Sequence, residues 1–485
     1  MFVRCFQIVR VALLLLAWLE IIPFPVTRAL AQGTDPADVT ASATTSAVVE
    51  DASQDPGMGG DDTVLVAELS RRIADLESRL NARDRAEREK VERERQRAAD
   101  WIDLSQEKWT VKLGGHIQTD FINWAKASPS IPASDYFAFR RLRLLADGQG
   151  YGVYDFRLQM TLEPEQIGVT PEVTAPAVKD AYFSINELPF LGRLRIGNFF
   201  VPFSLEQVTN DTNNIFLERS IPTQTVYAAD RELGIAFYQH SENQAWTWSG
   251  GVFVDSLSEG VKFRIDDNQG LRLSNRVTWV PIYDESSNGR RVLHTGAGVL
   301  YTLEHDGRVQ FRTRPQINLG PRLIDTGLVD AHSHITGNAE LALVLGSFTL
   351  QAESFLDSIS QTNGADVQTN GTYVHASYFL TGENRVYERF GQHGAQFGRN
   401  VPISNFFVVP GGASWGAWEL KARWSHLDFS NLGRGQYNDF TFGVNWYWSD
   451  RTRVMFDWIH PLTTQQTTYG STQSDILGLR FDVNW

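Results

Sequence analysis

The residues that could do chemistry in this chain are arginines, set at alternate places in stretches whose other places are apolar. LRLSNRVTW (271–279) sets Arg272 and Arg276 against Leu271, Leu273, Val277 and Trp279; VYDFRLQM (153–160) sets Arg157 against Tyr154, Phe156, Leu158 and Met160. A period of two puts the two sets on opposite faces of an extended strand. By the same phase Arg141, Arg143, Arg193, Arg195, Arg312, Arg314, Lys421, Arg423, Arg453 and Arg480 lie on polar faces. The acids sharing those faces are fewer: Asp155, Glu163, Glu419, Asp457 and Asp482. A guanidinium stays charged at any working pH and offers a fork of donors that fits carboxylate or phosphate. That is the chemistry of attracting and steering anions, not of making or breaking bonds. The same charges can also pair with acids on neighbouring strands and stiffen a wall.

Bond-making chemistry has little to rest on. The chain contains no G-x-x-x-x-G-K-[ST] or H-E-x-x-H pattern, and its G-x-S-x-G match, Gly412-Ala413-Ser414-Trp415-Gly416, runs into the alternating stretch WELKARWSHLDF instead of the helix that a nucleophile elbow needs. His332 and His334 alternate but have no carboxylate at ligand spacing in the sequence, so a loop or turn pair is preferred to a metal site. Asp450, Asp457 and His460 read as lumen or turn residues. The one cysteine, Cys5, lies in a segment expected to be removed, which excludes disulfides, thiolate metal sites and a cysteine nucleophile from the mature chain. No cofactor is expected, and an outer-membrane hydrolase would lack the strand–turn–helix setting of a nucleophile.

The elements that must position the arginines follow from the same alternation. FTFGVNWYW (440–448), RVMFDWI (453–459) and the terminal LGLRFDVNW (477–485) repeat it, with one wholly apolar face each. Short turns at 146–151 and 187–192 separate strand candidates on one side; long loops at 124–135, 163–178 and 203–231 separate them on the other. Short turns on one rim, long loops on the other and a polar second face mark a transmembrane β-barrel. The 14 tryptophans suit a lipid–water interface. The stretch 109–485 has room for roughly 16 strands at about 9–11 residues per crossing. In a closed barrel the last strand must pair with the first, and its apolar face meets membrane lipid.

Upstream, Arg4 and Arg10, the apolar run Val11–Leu19 and Ala29-Leu30-Ala31 read as a secretory signal over 1–31. Residues 32–62 are poor in large apolar side chains and read as a disordered linker. Val66, Leu69, Ile73, Leu76 and Leu80 alternate three and four apart, which predicts a coiled-coil helix over 63–100. The expected fold is therefore all-β, a transmembrane antiparallel barrel of about 16 strands preceded by an N-terminal coiled-coil helix. The net charge of −13 excludes a nucleic-acid partner.

Several barrel segments resemble the phosphate-selective porin O and P family. They include FAFRRLRLLADGQGYGVYDFRLQM (137–160), VKDAYFSI (178–185), LRIGNFFVPFSLEQ (194–207) and NNIFLERSIP (213–222). RTRPQINLGPRLIDTG (312–327), YFLTGENRVYER (378–389) and WGAWELKARWSHLDFSN (415–431) follow in the family's order. The resemblance implies a homotrimeric, anion-preferring, 16-stranded outer-membrane channel, with the coiled coil in the periplasm. One departure stands out. Where the family often carries a lysine after G-x-F, this chain has Phe200, and the barrel holds only five lysines. A lysine-built phosphate site is therefore not implied.

Over 110–485 the chain has 30 Lys plus Arg against 38 Asp plus Glu. Location matters more than the sum, because a narrow pore focuses the field of its own lining, and rings of arginine select anions. The expected site is a set of pore-lining, anion-binding arginines: Arg141, Arg143, Arg157, Arg195, Arg219, Arg231, Arg272, Arg276, Arg312 and Arg314. The loop 203–231 is expected to fold into the lumen, with Arg219 and Arg231 near the constriction. The function expected is passive passage of small inorganic or organic anions such as phosphate through an Arg-lined constriction. The alternative is a general or organic-solute porin without phosphate selectivity, the coiled coil acting as a periplasmic tether.

Overall fold

The computed structural model describes residues 71–72, 108–163, 177–254, 270–304, 307–407 and 414–485. The chain divides into two units, Met1–Arg95 and Gln96–Trp485. The second is a closed antiparallel barrel of sixteen strands. These are β1 (Trp109–Lys126), β2 (Tyr136–Gly150), β3 (Tyr154–Thr161), β4 (Ala177–Leu188), β5 (Gly192–Phe200), β6 (Arg231–His240), β7 (Trp246–Val254) and β8 (Leu271–Tyr283). They continue as β9 (Arg291–Leu303), β10 (Val329–Leu345), β11 (Phe348–Gln361), β12 (Val367–Phe379), β13 (Ala417–Asp428), β14 (Gln436–Tyr447), β15 (Thr452–Thr463) and β16 (Asp475–Asn484).

Each strand pairs with the next in sequence, and β16 closes on β1 with Asp120 opposite Arg480 and Gln118 opposite Asp482. The seam is sealed by side chains as well. Arg480 donates to both Asp120 oxygens at 2.6 and 2.7 Å, and His116 Nε2 lies 2.9 Å from Asp482. Trp485 lies flat over Gly115, with which it exchanges two backbone hydrogen bonds. A Cβ at 115 would fall 2.0 Å from the indole, so a side chain there would have to displace Trp485.

The alternation works as expected. Phe121, Phe137, Leu144, Phe442, Phe456 and Phe481 point outward and are exposed, as lipid-facing residues must be; Arg141, Arg276, Asp457, Arg480 and Asp482 point inward. Bulges shift the register at several places, and two of them re-aim charged or titratable side chains. In β1–β2 the register skips Arg140, so Arg140 and Arg141 both leave the lipid face. In β10 the register shifts between Ala331 and Ser333, so His334 turns inward between Glu304 (3.1 Å) and Asp357 (2.8 Å) while His332 stays exposed. His332 and His334 therefore form no pair, and no metal-holding cluster occurs among the described residues.

The expected coiled coil is corrected. Of 63–100 only Arg71 and Arg72 are described, and among the described residues the longest helical segment is Thr223–Tyr227, five residues. A heptad seam of about two turns is marginal by itself, and the fold stated here is the barrel alone. The signal 1–31 and linker 32–62 lie outside the described residues.

Candidate functional site: lumen inserts and a cationic vestibule

Among the described residues, three connections leave the rims and enter the barrel. The first, 201–230 between β5 and β6, carries Phe203, Leu205, Val208, Ile215, Phe216, Leu217 and Ile221, all fully or almost fully buried. The lumen offers them an apolar bed. Phe203 and Tyr227 meet Phe355 of β11 at 6.2 and 5.8 Å between centroids, and Leu217 packs near Ile122 of β1. A segment crossing a barrel cannot use sheet hydrogen bonds, so its backbone needs side-chain partners. The wall supplies them. Glu353 accepts from the Leu205 and Glu206 amides at 3.1 and 2.7 Å, and Asp457 accepts from Leu217 at 2.9 Å. Arg453 donates to the Asn214 carbonyl at 2.7 Å, Arg423 to that of Glu218 at 3.0 Å, and Lys421 and Arg480 to those of Ile215 and Leu217. These donors and acceptors come from β11, β13, β15 and β16, so the loop spans the lumen.

The second insert comes from the opposite rim. The connections there are short, 151–153, 189–191, 241–245, 284–290, 346–347 and 448–451, except for 380–416 between β12 and β13. Its hairpin, Tyr387–Gly391 paired with Gly394–Phe397, enters the lumen. Arg193 donates to the carbonyls of Gly391 and Gln392 at 3.1 and 3.0 Å, and Arg276 to that of Ala395 at 3.0 Å. Arg195 Nη1 lies 3.2 Å from His393 Nδ1. The two inserts touch: Asn213 donates to the Phe397 carbonyl, and the Phe397 amide to Thr209 Oγ1, both at 3.3 Å. The third insert is part of 304–328. Its Gln316 accepts from Arg423 and from Thr441 at 2.9 Å, and the Leu319 amide donates to the Tyr136 hydroxyl at 3.2 Å.

Above the first insert, on the long-loop side, lies a cavity of about 490 Å³. Nine cationic side chains line it: Arg140, Arg141, Arg143, Lys179, Arg219, Arg231, Arg272, Arg308 and Arg314. Five acids share it: Asp211, Glu218, Asp230, Glu232 and Glu304. The cations are largely committed. Asp211 receives Arg143 at 2.9 Å and Arg219 at 2.8 Å, with Arg141 at 3.2 Å. Glu218 receives Arg140 through two bonds, 2.5 and 2.9 Å, and Arg480 at 3.0 Å. Arg231 bonds Asp180 at 2.7 Å and stacks 3.8 Å over Phe200, and Arg272 pairs with Glu232. Burial alone would push the Asp211 and Glu218 carboxyls up; the surrounding guanidinium groups outweigh it and hold both well below the usual carboxylate range.

A channel of this build has family-level relatives. The sequence profile described as phosphate-selective porin O and P matches residues 111–485. The chain belongs to that family. This porin is therefore a passive outer-membrane β-barrel channel, not an enzyme. It is 28% identical over 305 residues to an uncharacterized protein of Caulobacter vibrioides, covering 61% of this chain and 56% of that one. The match thus spans little more than half the length of that relative. It is 22% identical over 408 residues to Porin O of Pseudomonas aeruginosa, covering 76% of this chain and 86% of that one. Among solved structures, the anion-selective porin from Comamonas acidovorans is 14% identical with a TM-score of 0.47, covering 77% of this chain and 100% of that chain.

Of the ten arginines expected at the site, Arg141, Arg143, Arg219, Arg231, Arg272 and Arg314 meet at the vestibule of this porin. Arg157, Arg195 and Arg276 lie instead around the lumen hairpin. Arg157 bonds Asp147 at 2.6 and 2.7 Å and Gln392 at 3.0 Å; Arg276 grips Glu340 through two bonds of 2.8 Å. Arg312 sits on the short ribbon Arg312–Thr313 with Ile324–Asp325 and is exposed, and Arg314 donates to the Gly320 carbonyl at 3.0 Å. Sequence reasoning missed Arg140, Lys179 and Arg308. Arg140 had a visible signal: outward Phe137 and Phe139 change phase to Leu142 and Leu144, which marks the bulge.

Proposed function

We propose that this porin is a general diffusion channel for small hydrophilic solutes, with a modest preference for anions and no dedicated phosphate site. The observation that carries this reading is the pairing of the vestibule arginines. A selective oxyanion site needs guanidinium forks turned toward the solute. Here Arg140, Arg141, Arg143, Arg219, Arg231 and Arg272 spend donors on Glu218, Asp211, Asp180 and Glu232. What remains is a field, an excess of four positive charges around the cavity, which biases ion entry without recognising one anion. The absence of a lysine at position 200 supports the same reading.

The test is a zero-current potential across planar bilayers in a KCl gradient, followed by addition of phosphate. Mild anion selectivity with chloride current unaffected by phosphate is expected. Cation selectivity, or block of chloride current by low phosphate, would overturn it. A homotrimer, which the family resemblance supports, belongs to the same proposal; the mass of the detergent-solubilised particle by light scattering checks it.

A further inference from the structure

The lumen hairpin accounts for only part of connection 380–416. After Phe397 the chain returns to the outside of the barrel at the short-turn rim. There Val401, Ile403 and Phe407 are exposed, Ile403 by 68% and Phe407 by 76%, together with Trp415 at 73%. Of the six other turns on this rim, the three longest carry charge, SENQA (241–245), DESSNGR (284–290) and WSDR (448–451). Residues 400–418, NVPISNFFVVPGGASWGAW, contain no Asp, Glu, Lys or Arg.

The described parts of this flap, 401–407 and 414–418, place several polar groups on partners within the protein. The indole N–H groups of Trp418 and Trp446 both donate to one acceptor, the Trp415 carbonyl, at 3.1 and 2.7 Å. The Phe406 amide donates to the Trp448 carbonyl at 2.8 Å, and its ring meets Trp446 at 4.7 Å. The Ile403 amide donates to Glu383 at 3.0 Å. These four donors find partners within the protein, as groups placed next to hydrocarbon must. The flap continues the outward faces of β13 and β14, where Trp418, Leu420, Val444 and Trp446 already form part of the lipid-facing band.

We propose that 401–407 together with Trp415 is an interfacial membrane anchor, inserted at the headgroup–acyl boundary of the phospholipid leaflet on the short-turn rim. One connection then has its first limb in the lumen and its second in the membrane. Trp and Phe are the residues that sit most readily at that depth, and continuity with the barrel's apolar band makes lipid the occupant.

The test places a nitroxide at Phe407→Cys in the full chain, on a Cys5→Ser background so that the thiol is unique, reconstituted in phosphatidylethanolamine–phosphatidylglycerol vesicles. Phe442→Cys on the lipid-facing wall and Glu242→Cys in the 241–245 turn serve as references. Power saturation is expected to give an oxygen-to-nickel-chelate accessibility ratio severalfold above that of Glu242→Cys and close to that of Phe442→Cys. A ratio equal to that of Glu242→Cys overturns the proposal. So does dipolar broadening that dilution with unlabelled chain removes, because a second copy would then cover the flap. If Phe407→Cys fails to give the heat-modifiable barrel band, Ile403→Cys carries the same measurement.

Discussion

Arg140 offers the sharpest test of whether the vestibule's field sets ion preference. It enters the lumen only because of the bulge opposite Gln118 and Thr119, and it lines the cavity while gripping Glu218. Arg140→Gln lowers the cavity's balance from nine cations against five acids to eight against five. The insert should keep its place, because Glu218 retains Arg480 at 3.0 Å. One charge about 6 Å from a passing ion is worth ~0.7 kcal/mol in water, and screening over a Debye length of about 8 Å leaves ~0.3 kcal/mol. That lowers local anion density by roughly 1.7-fold and raises cation density equally, so the anion-to-cation permeability ratio should fall about threefold. The zero-current potential in a KCl gradient reads this directly. In 1 M salt, where the Debye length is about 3 Å, the effect should almost vanish. Arg434→Gln, an exposed rim charge outside the cavity, should change nothing. An unchanged or increased anion preference in Arg140→Gln at low salt would refute the field argument.

Other outcomes follow from the anchoring of the inserts and the seam. Glu353→Ala removes the acceptor of two insert amides, at about 1–3 kcal/mol for each orphaned group, so single-channel current should rise and flicker while the barrel stays heat-modifiable. Asp211 and Glu218 titrate below their unfolded values of about 4. Their contribution is therefore complete above about pH 4 and lost only as pH falls through the lower folded values. Conductance recorded against pH should be flat from neutrality to about pH 4 and change only in stronger acid. Gly115→Leu drives a side chain into Trp485 and should destabilise the barrel by about 1–3 kcal/mol. Thermal unfolding in detergent reads that loss, and Trp485→Ala should recover much of it.

The barrel was legible because half of each strand faces lipid. That constraint writes an apolar residue at every second place, and LGLRFDVNW or FTFGVNWYW can be read without any partner in view. The bulges were harder, since one extra residue shifts a face only where the apolar set resumes, as between Phe139 and Leu142. The lumen hairpin left no periodic trace. YERFGQHGAQFG is held by arginines from β5 and β8, almost 200 and about 120 positions away, and such long-range bonds to carbonyls require no particular side chain on the hairpin itself. The pairing of each arginine was hidden for the same reason. Phase could tell that Arg276 points inward, but not that Glu340, 64 residues later, would take both of its forks. The heptad pattern near residue 73 led the other way, to a helix that does not enter the fold as described.

The ladder between β1 and β16 differs from the other fifteen. They join strands that are neighbours along the chain, so each can form as soon as its two halves exist. The closing ladder brings together Asp120 and Arg480, 360 positions apart. Until it zips, the sheet has two bare edges whose amides and carbonyls would pair with any strand at hand. The buried ion pairs at that seam give the last strand a matching partner that a stranger's edge would lack. Assembly of this channel therefore has a single committing event, and a cell must shelter the open sheet until it occurs.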